Sequence, residues 1–312
     1  MSKLKGLLLT EGLHGMVSQA EGLAKALDLE YFHEKIELNT FWNLIPPMLS
    51  PVSKFVFKNK IEKDFDVIIS CGRKSVIPSI YYKKNLRKNI INIHIQNPKV
   101  SLKNFDFIIA PDHDEIKGQN VLISKGAIHY LTLKDINDCK NYLEDKIDKN
   151  RDVITLILGG PTKYYSYKEE NIINIFSKIK KNLAESNLQL IIIPSNRTPK
   201  NTINFAKEYF DKNRLVIESV DKQAYLSSLA LSKYIVVTCD SNSMISDADL
   251  TGKPIYVGML PSLKNDHRFK KFRNLFKELN IIRELGDNLE IWSYEKLDET
   301  NRIAQEIKKK II

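Results

Sequence analysis

Apolar residues in this chain fall into short runs of strand length, each followed by a polar loop and then by apolar positions at helical spacing. The first run, 4–9, leads into Thr10-Glu11-Gly12-Leu13-His14-Gly15. Ala20, Leu23, Ala24 and Leu27 then recur every three or four residues, the stripe of a helix for which Ser18 is a plausible cap. Strands are expected again at 31–36, 66–70, 89–95, 105–110 and 121–123. After a charged stretch at 143–152, read as a linker, the pattern restarts with strands at 153–158, 188–193, 215–217, 234–237 and 255–257. Helices are expected between them at 169–185, 202–210, 224–231 and 244–250, and a last one at 297–311. Strand and helix alternating at this spacing describe an α/β protein with parallel sheets. A length of 312 residues exceeds what one core usually supports. The expectation is two Rossmann-like doubly wound domains, 1–148 and 149–296, facing across a cleft, with the helix 297–312 packing back on the first.

Composition adds little to the fold but narrows the function. Hydrophobic content of 43% and charged content of 28% are those of a soluble globular protein. No apolar run approaches the ~20 residues of a membrane span, and the start of the chain lacks a signal-peptide core. A cytoplasmic protein, at most peripheral to a membrane, is expected. The net charge of +10 points to an anionic partner such as a nucleotide, lipid head groups or nucleic acid, or simply to a solvated basic surface. Three cysteines, Cys71, Cys139 and Cys239, follow no metal-binding spacing and fit reduced thiols.

The densest chemistry lies at 234–259, YIVVTCDSNSMISDADLTGKPIYVGM. A strand stops at Thr238, the loop carries Asp240, Ser241, Asn242 and Ser243, and a helix begins near Met244. The amino end of a helix offers unpaired N–H groups and the positive end of its dipole, which suits phosphate. The hydroxyls of Ser241, Ser243 and Ser246 add donors, and Asp247 is placed to accept from a ribose. Ser, Asp and Asn are also ordinary helix caps, so this loop alone does not decide the matter. Two further loops of the second half strengthen the case. Gly159-Gly160-Pro161-Thr162 follows a strand directly, and Ser195-Asn196-Arg197-Thr198 pairs turn formers with a planar fork matched to phosphate oxygens.

In the first half, the loop of Gly12, His14 and Gly15, and the loops of Arg73 and of Gln96 and Asn97, follow strand ends, where ligands meet open parallel sheets. The spacing is not G-x-G-x-x-G, so a dinucleotide fingerprint is unsupported. Asp112-His113-Asp114 reads as a turn or, less simply, as a divalent-metal pair; no metal is expected. The segment from Phe41 to Lys60, FWNLIPPMLSPVSKFVFKNK, is either a Pro-interrupted excursion packed on its own domain or a loop that dips into an anionic membrane face. The run 83–88 either extends that basic surface or solvates a helix end. Arg, Lys and Phe interleave at 265–273, as in nucleic-acid binders. The spacing of Phe269, Phe272, Leu275, Phe276 and Leu279 instead favours a core-facing helix, so no nucleic acid is expected.

Two α/β domains with phosphate-friendly loops in the second resemble the GT-B glycosyltransferase architecture. In its nucleotide-sugar enzymes a small-residue loop and an acidic residue on the next helix hold the donor; here Ser241–Ala248 resembles that stretch, with Asp247 in place of the usual Glu. Over nearly its whole length the chain is similar to the mitochondrial-fission protein family of plants and its bacterial relatives. The matching motifs are 12–23 with Gln19, Ala-Pro-Asp-His-Asp at 110–114, Ser-Lys-Gly-Ala-Ile-His at 124–129, Gly159-Gly160-Pro161, 195–199 and 240–254. One departure is Gly15-Met16, where the family usually has Gly-His. The resemblance implies a glycosyltransferase that takes a nucleotide-diphosphate sugar and needs no further cofactor. His14, or failing it Asp112, would deprotonate the acceptor. The plant member implies an alternative, a non-catalytic membrane-associated adaptor with protein partners.

Overall fold

The computed structural model describes residues 3–86, 89–210, 212 and 214–311. The chain divides into two compact units, Met1–Tyr130 together with Asp298–Ile312, and Leu131–Leu297.

The first unit runs β1 (Lys5–Thr10), α1 (His14–Ala26), β2 (Glu30–Lys35), α2 (Thr40–Leu44), β3 (Val67–Cys71), α3 (Val76–Asn85), β4 (Ile91–Ile95), β5 (Phe107–Pro111) and β6 (Val121–Ser124). The strands form one parallel sheet in the order β2-β1-β3-β4-β5-β6. Leu7, Leu8, Leu9, Ile68 and Ile69 are fully buried, because β1 and β3 lie inside the sheet with both faces covered. Leu8, Ile69 and Ile93 pack with Leu23 and Ala24 of α1 on one face. Leu7, Leu9 and Ile68 pack with Phe57, Phe65 and Tyr82 on the other.

The second unit runs α4 (Leu133–Asp138), α5 (Asn141–Glu144), β7 (Asp152–Leu158), α6 (Glu169–Glu185), β8 (Leu188–Pro194), α7 (Lys200–Tyr209), β9 (Arg214–Val216) and α8 (Lys222–Leu231). It continues through β10 (Ser232–Thr238), α9 (Asn242–Asp249), β11 (Ile255–Gly258), α10 (His267–Glu278) and β12 (Ile282–Glu284). Its parallel sheet has the order β12-β11-β10-β7-β8-β9. Strands are added outward from β7 in one direction and from β10 in the other, so the winding reverses between β7 and β10.

The last helix, α11 (Glu299–Ile311), belongs to the first unit, as expected. Ile303, Ala304 and Ile307 enter the core that contains α1. The 124–129 motif anchors it: the Lys125 N–H donates to the Glu299 carboxylate at 2.7 Å, and the His129 N–H donates to Thr300 Oγ1 at 3.1 Å. A Cβ on Gly22 would overlap the His129 backbone, so α1 meets this motif at van der Waals distance only through glycine.

Three sequence expectations change here. The sheet of the second unit has a sixth strand, β12, whose three residues Ile282-Arg283-Glu284 carry too little apolar character to register as a run. The stretch 143–152 is no free linker: Leu143 is fully buried against Val153, Ile191 and Ala224, and the boundary between units falls ahead of it, at 130/131. The segment 41–60 is α2 followed by two short 3-10 turns, Pro47–Leu49 and Lys54–Val56. Its Val56 and Phe57 pack inward, while Phe41, Leu44, Met48, Leu49 and Phe55 stand exposed. Of the run 83–88, Lys83 pairs with Asp106 at 2.9 Å, and Arg87 and Lys88 lie outside the described residues. Among the described residues no helix is long and apolar enough to cross a membrane.

Candidate functional site

In the second unit the register Ile157↔Val237 brings the carboxyl ends of β7 and β10 level, so their loops leave side by side at the reversal of winding. Asp240 sits at the centre of that junction with its side chain fully buried. Its Oδ1 accepts from Thr238 Oγ1 at 2.7 Å and from the Tyr167 hydroxyl. Its Oδ2 accepts from the Gly160 N–H at 3.1 Å and from Arg197 Nη2 at 2.8 Å. Four donors satisfy one buried carboxylate, which is what a charge away from water requires. Burial, and then the Asp240 charge, push the Tyr167 phenol well above its ordinary range, so it stays a donor.

This arrangement gives Gly159 and Gly160 a different task from the expected one. The Gly159 N–H donates to Thr238 Oγ1 at 2.9 Å and the Gly160 N–H to Asp240, so both amides face the protein rather than an anion. A Cβ on Gly159 would overlap the Asp240 carboxylate, and one on Gly160 the Arg197 carbonyl. The 195–199 loop is likewise tied inward. Ser195 Oγ donates to Gly159 O at 2.9 Å, and Thr198 Oγ1 donates to Leu158 O at 2.9 Å. Thr162 Oγ1 accepts from the Tyr164 and Tyr165 N–H groups and holds a turn. Pro161 and Asn196 are exposed.

Arg197 is what those loops position. Its Nη1 donates to Gly160 O at 2.9 Å and its Nη2 to Asp240, yet the side chain remains 42% exposed. Beside it a pocket of about 400 Å³ is lined by Lys163, Tyr164, Arg197, Asp240, Ser241, Asn242, Ser243, Arg268 and Phe269. Ser241 caps α9, its Oγ accepting from the Met244 N–H at 3.4 Å and lying 3.3 Å from Ser243 Oγ. The N–H groups of Asn242 and Ser243, first in α9, have no intrahelical acceptor. Asn242 Oδ1 is buried without a hydrogen-bond partner among the described residues. Further along α9, Ser246 Oγ donates to Asn242 O, Met244 packs on the core, and Asp247 Oδ2 accepts from the Tyr225 hydroxyl at 3.1 Å.

A second buried network fixes the loop from below. Arg273, 4% exposed, donates to the Cys239 carbonyl at 3.2 Å, the Tyr165 hydroxyl at 3.1 Å and the Asp266 carboxylate at 3.2 Å. Burial alone would lower the Arg273 pKa, but Tyr165, Cys239 and Asp266 raise it on balance, so the guanidinium is charged. Burial pushes the Cys239 thiol up to about 11, which excludes thiolate chemistry there near neutral pH. Sequence reading missed Lys163, Tyr164, Arg268 and Arg273 as site residues. Arg268 lies one turn before Phe272 and Phe276 on the same side of α10, at its amino end, where it lines the pocket with Phe269.

A family model described as Mitochondrial fission ELM1 matches residues 14–311, nearly the whole chain. This chain belongs to the Mitochondrial fission ELM1 family. Uncharacterized protein RP120 of Rickettsia prowazekii is 27% identical, over 94% of this chain and 95% of its own length. Mitochondrial fission protein ELM1 of Arabidopsis thaliana is 23% identical, over 78% of this chain and 64% of its own length. Among solved structures, UDP-GlcNAc 2-epimerase from Neisseria meningitidis, bound to UDP-GlcNAc, matches with a TM-score of 0.56 at 12% identity, covering 99% of this chain and 91% of that one. A UDP-glucosyltransferase from Polygonum tinctorium matches with a TM-score of 0.51 at 9% identity, covering 99% and 90%. These likenesses show a GT-B-type fold.

In this ELM1-family chain the first unit reverses its winding between β1 and β3, and its candidate residues are spread over the segments after β1, β3, β4 and β5. Glu11 fills the place of reversal: its Oε1 accepts from the Lys74 N–H at 3.2 Å, and its Oε2 lies 3.7 Å from Lys74 Nζ. Gly12, at φ +79°, donates to Thr10 Oγ1, and Gly15 has open space around it. Gln19 Oε1 lies 3.6 Å from the buried Cys71 thiol. Arg73 is turned away, donating to the Asn43 and Ile45 carbonyls and capping α2 rather than offering its fork to a ligand. The Gln96 N–H continues the sheet by donating to Ile109 O, and Asn97 Oδ1 accepts from the Lys99 N–H. His14 opens α1, exposed, with its ring edge-on to Tyr130 at 6.3 Å. Asp112 lies in a 3-10 turn after β5, where His113 Nε2 is 3.9 Å from Asp114. Among the described residues no three His, Cys, Asp or Glu side chains gather in metal-binding geometry.

Proposed function

We propose that the second unit holds a nucleotide-diphosphate sugar and that the chain is a GT-B-type glycosyltransferase. One observation carries this reading: three cations, Lys163, Arg197 and Arg268, and the free amino end of α9 line one pocket beside the reversal of winding. Asp240 is the one carboxylate among the pocket's lining residues, so the lining is predominantly cationic, which suits a diphosphate. Arg197 has spent two of its N–H donors on Gly160 and Asp240, so its orientation is fixed before the ligand arrives, and its other guanidinium N–H groups have no partner among the described residues. Tyr164 and Phe269, packed edge to face with ring centroids 5.3 Å apart, give the pocket an aromatic wall for a base, and Asn242 Oδ1 is an acceptor in want of a donor. Asp247, steadied by Tyr225, is the residue assigned to the ribose hydroxyls.

In the reaction the bond from the sugar's anomeric carbon to the diphosphate breaks, and the acceptor oxygen takes its place. Arg197, Arg268 and the α9 N–H groups stabilise the charge that builds on the departing diphosphate. His14, or failing it Asp112, takes the acceptor's proton. The likeness to a UDP-glucosyltransferase and to an epimerase bound to UDP-GlcNAc supports a uridine nucleotide as the first probe. Thermal melting with uridine and guanosine diphosphates and UDP-GlcNAc tests the binding step. At least one ligand should raise the melting temperature by mass action, and Arg197→Ala should abolish the rise. Silence from every ligand would overturn the reading. Membership of a family described by mitochondrial fission supports a second reading, an adaptor that keeps the fold. A nucleotide that binds but is never turned over, with any acceptor offered, would favour it.

A further inference from the structure

The surface formed by residues 41–60 is unlike the rest of the first unit. Leu44 is 83% exposed, Phe55 82%, Met48 70% and Leu49 69%. They project from α2 and two 3-10 turns separated by prolines, so the apolar side chains stand as separate tips rather than as a flat face. The tips are held there, not frayed. The Arg73 guanidinium caps the end of α2, Asn39 Nδ2 donates to Phe55 O at 2.7 Å, and Val56 and Phe57 anchor the segment in the core beneath.

Charge decides between occupants. From Leu38 to Lys60 the chain has no acidic residue and carries Lys54, Lys58 and Lys60. Lys58 is exposed, Lys60 shares a fully solvated pair with Glu62 at 3.2 Å that a lipid phosphate can replace, and Lys54 donates to the Asn59 carbonyl. Next to it, a groove of about 460 Å³ runs from Met48 and Val52 over Ile77 and Ile80 to Lys99. The interior of a protein–protein interface is depleted in lysine, whereas apolar tips fringed by lysines fit the boundary between acyl chains and anionic head groups.

We propose that this surface docks the protein on an anionic bilayer, the tips entering the head-group region and the lysines pairing with lipid phosphates. The inference stands independently of the nucleotide site. The test is sedimentation of the full-length protein with vesicles of phosphatidylcholine, alone or mixed with phosphatidylglycerol. Wild type should partition onto the mixed vesicles at least about tenfold more strongly than onto the neutral ones, and Lys58→Gln with Lys60→Gln should remove most of that preference. Leu44→Ser with Phe55→Ser, which touches exposed side chains only, should lower vesicle binding about tenfold while leaving circular dichroism unchanged. Wild type that stays in solution with both vesicles, or a serine variant that binds as well as wild type, would overturn the proposal. So would concentration-dependent dimers that the serine variant abolishes in the absence of vesicle binding, since that would assign the surface to a second copy.

Discussion

Asp240→Ala separates the scaffold of the site from the groups that would touch a ligand. The carboxylate is fully buried and takes four donors, from Thr238, Tyr167, Gly160 and Arg197. Removing it strands the Gly160 N–H and leaves the mutually bonded Tyr167 and Thr238 hydroxyls one acceptor short in the interior. At about 1 to 3 kcal/mol for each buried unsatisfied group, the loss is about 4 kcal/mol. Arg197 is partly exposed and can turn to water, so its share is small. In a unit of this size that loss lowers the melting temperature by about 10 °C. The two tryptophans allow the measurement, since Trp42 packs in the first unit and Trp292 against Tyr256 in the second. In a Trp42→Phe background, urea unfolding followed by fluorescence reports the second unit. Asp240→Asn, which keeps the shape and one acceptor, should recover at least half of the loss. Arg197→Ala leaves the buried Asp240 carboxylate without its counter-charge, so it should cost about 2 to 3 kcal/mol of stability and weaken nucleoside diphosphate binding about 10- to 100-fold. A loss below about 1 kcal/mol for Asp240→Ala would refute the assignment of that carboxylate as the anchor of the site.

Arg268→Ala should lower affinity for the same ligand about tenfold while stability stays within about 0.5 kcal/mol, as read by calorimetric titration and melting. Gly160→Ala should destabilise the second unit by about 3 kcal/mol, because its Cβ would meet the Arg197 carbonyl. Gly15→Ala, in α1 with open space around it, should stabilise the first unit by up to about 1 kcal/mol, and denaturant midpoints distinguish the two cases. His94 is fully buried beside Ser70, and burial lowers its pKa from 6.5 to about 3. The unfolded chain therefore binds the extra proton first. The stability from a neutral His94 is complete above pH 6.5 and is lost as pH falls from there toward 3. Nitrogen NMR should show a neutral ring at about pH 5, and a charged one would refute this.

Parallel sheets made most of the fold readable, because buried strands such as 67–71 and 153–158 are nearly pure apolar runs. The strand that escaped, β12, is an edge strand with Arg283 half-buried over the Trp292 ring and Glu284 exposed, so its pairing leaves no apolar signature. The position of the site could be read from three loops that follow strand ends, but the division of labour within it could not. Two adjacent glycines look the same whether their amides face an anion or, as here, a buried carboxylate 80 residues further on. Arg73 shows the same limit: its fork is matched to phosphate, and only the fold reveals that α2 has claimed it. Lys253, in the Thr-Gly-Lys-Pro stretch of the family motif, turns out to cap α8 through the Leu229 and Ala230 carbonyls. Arg268 was hidden for a different reason. The apolar spacing along α10 does not tell that its amino end, where Arg268 lies, meets a pocket.

The most direct test of the central claim is a crystal structure of the full chain grown with uridine diphosphate. The account predicts diphosphate oxygens within hydrogen-bond reach of the Asn242 and Ser243 N–H groups and of Arg197, with Asp240 still bonded to Gly160. Density for the nucleotide elsewhere, or a pocket occupied only by water at saturating ligand, would contradict it.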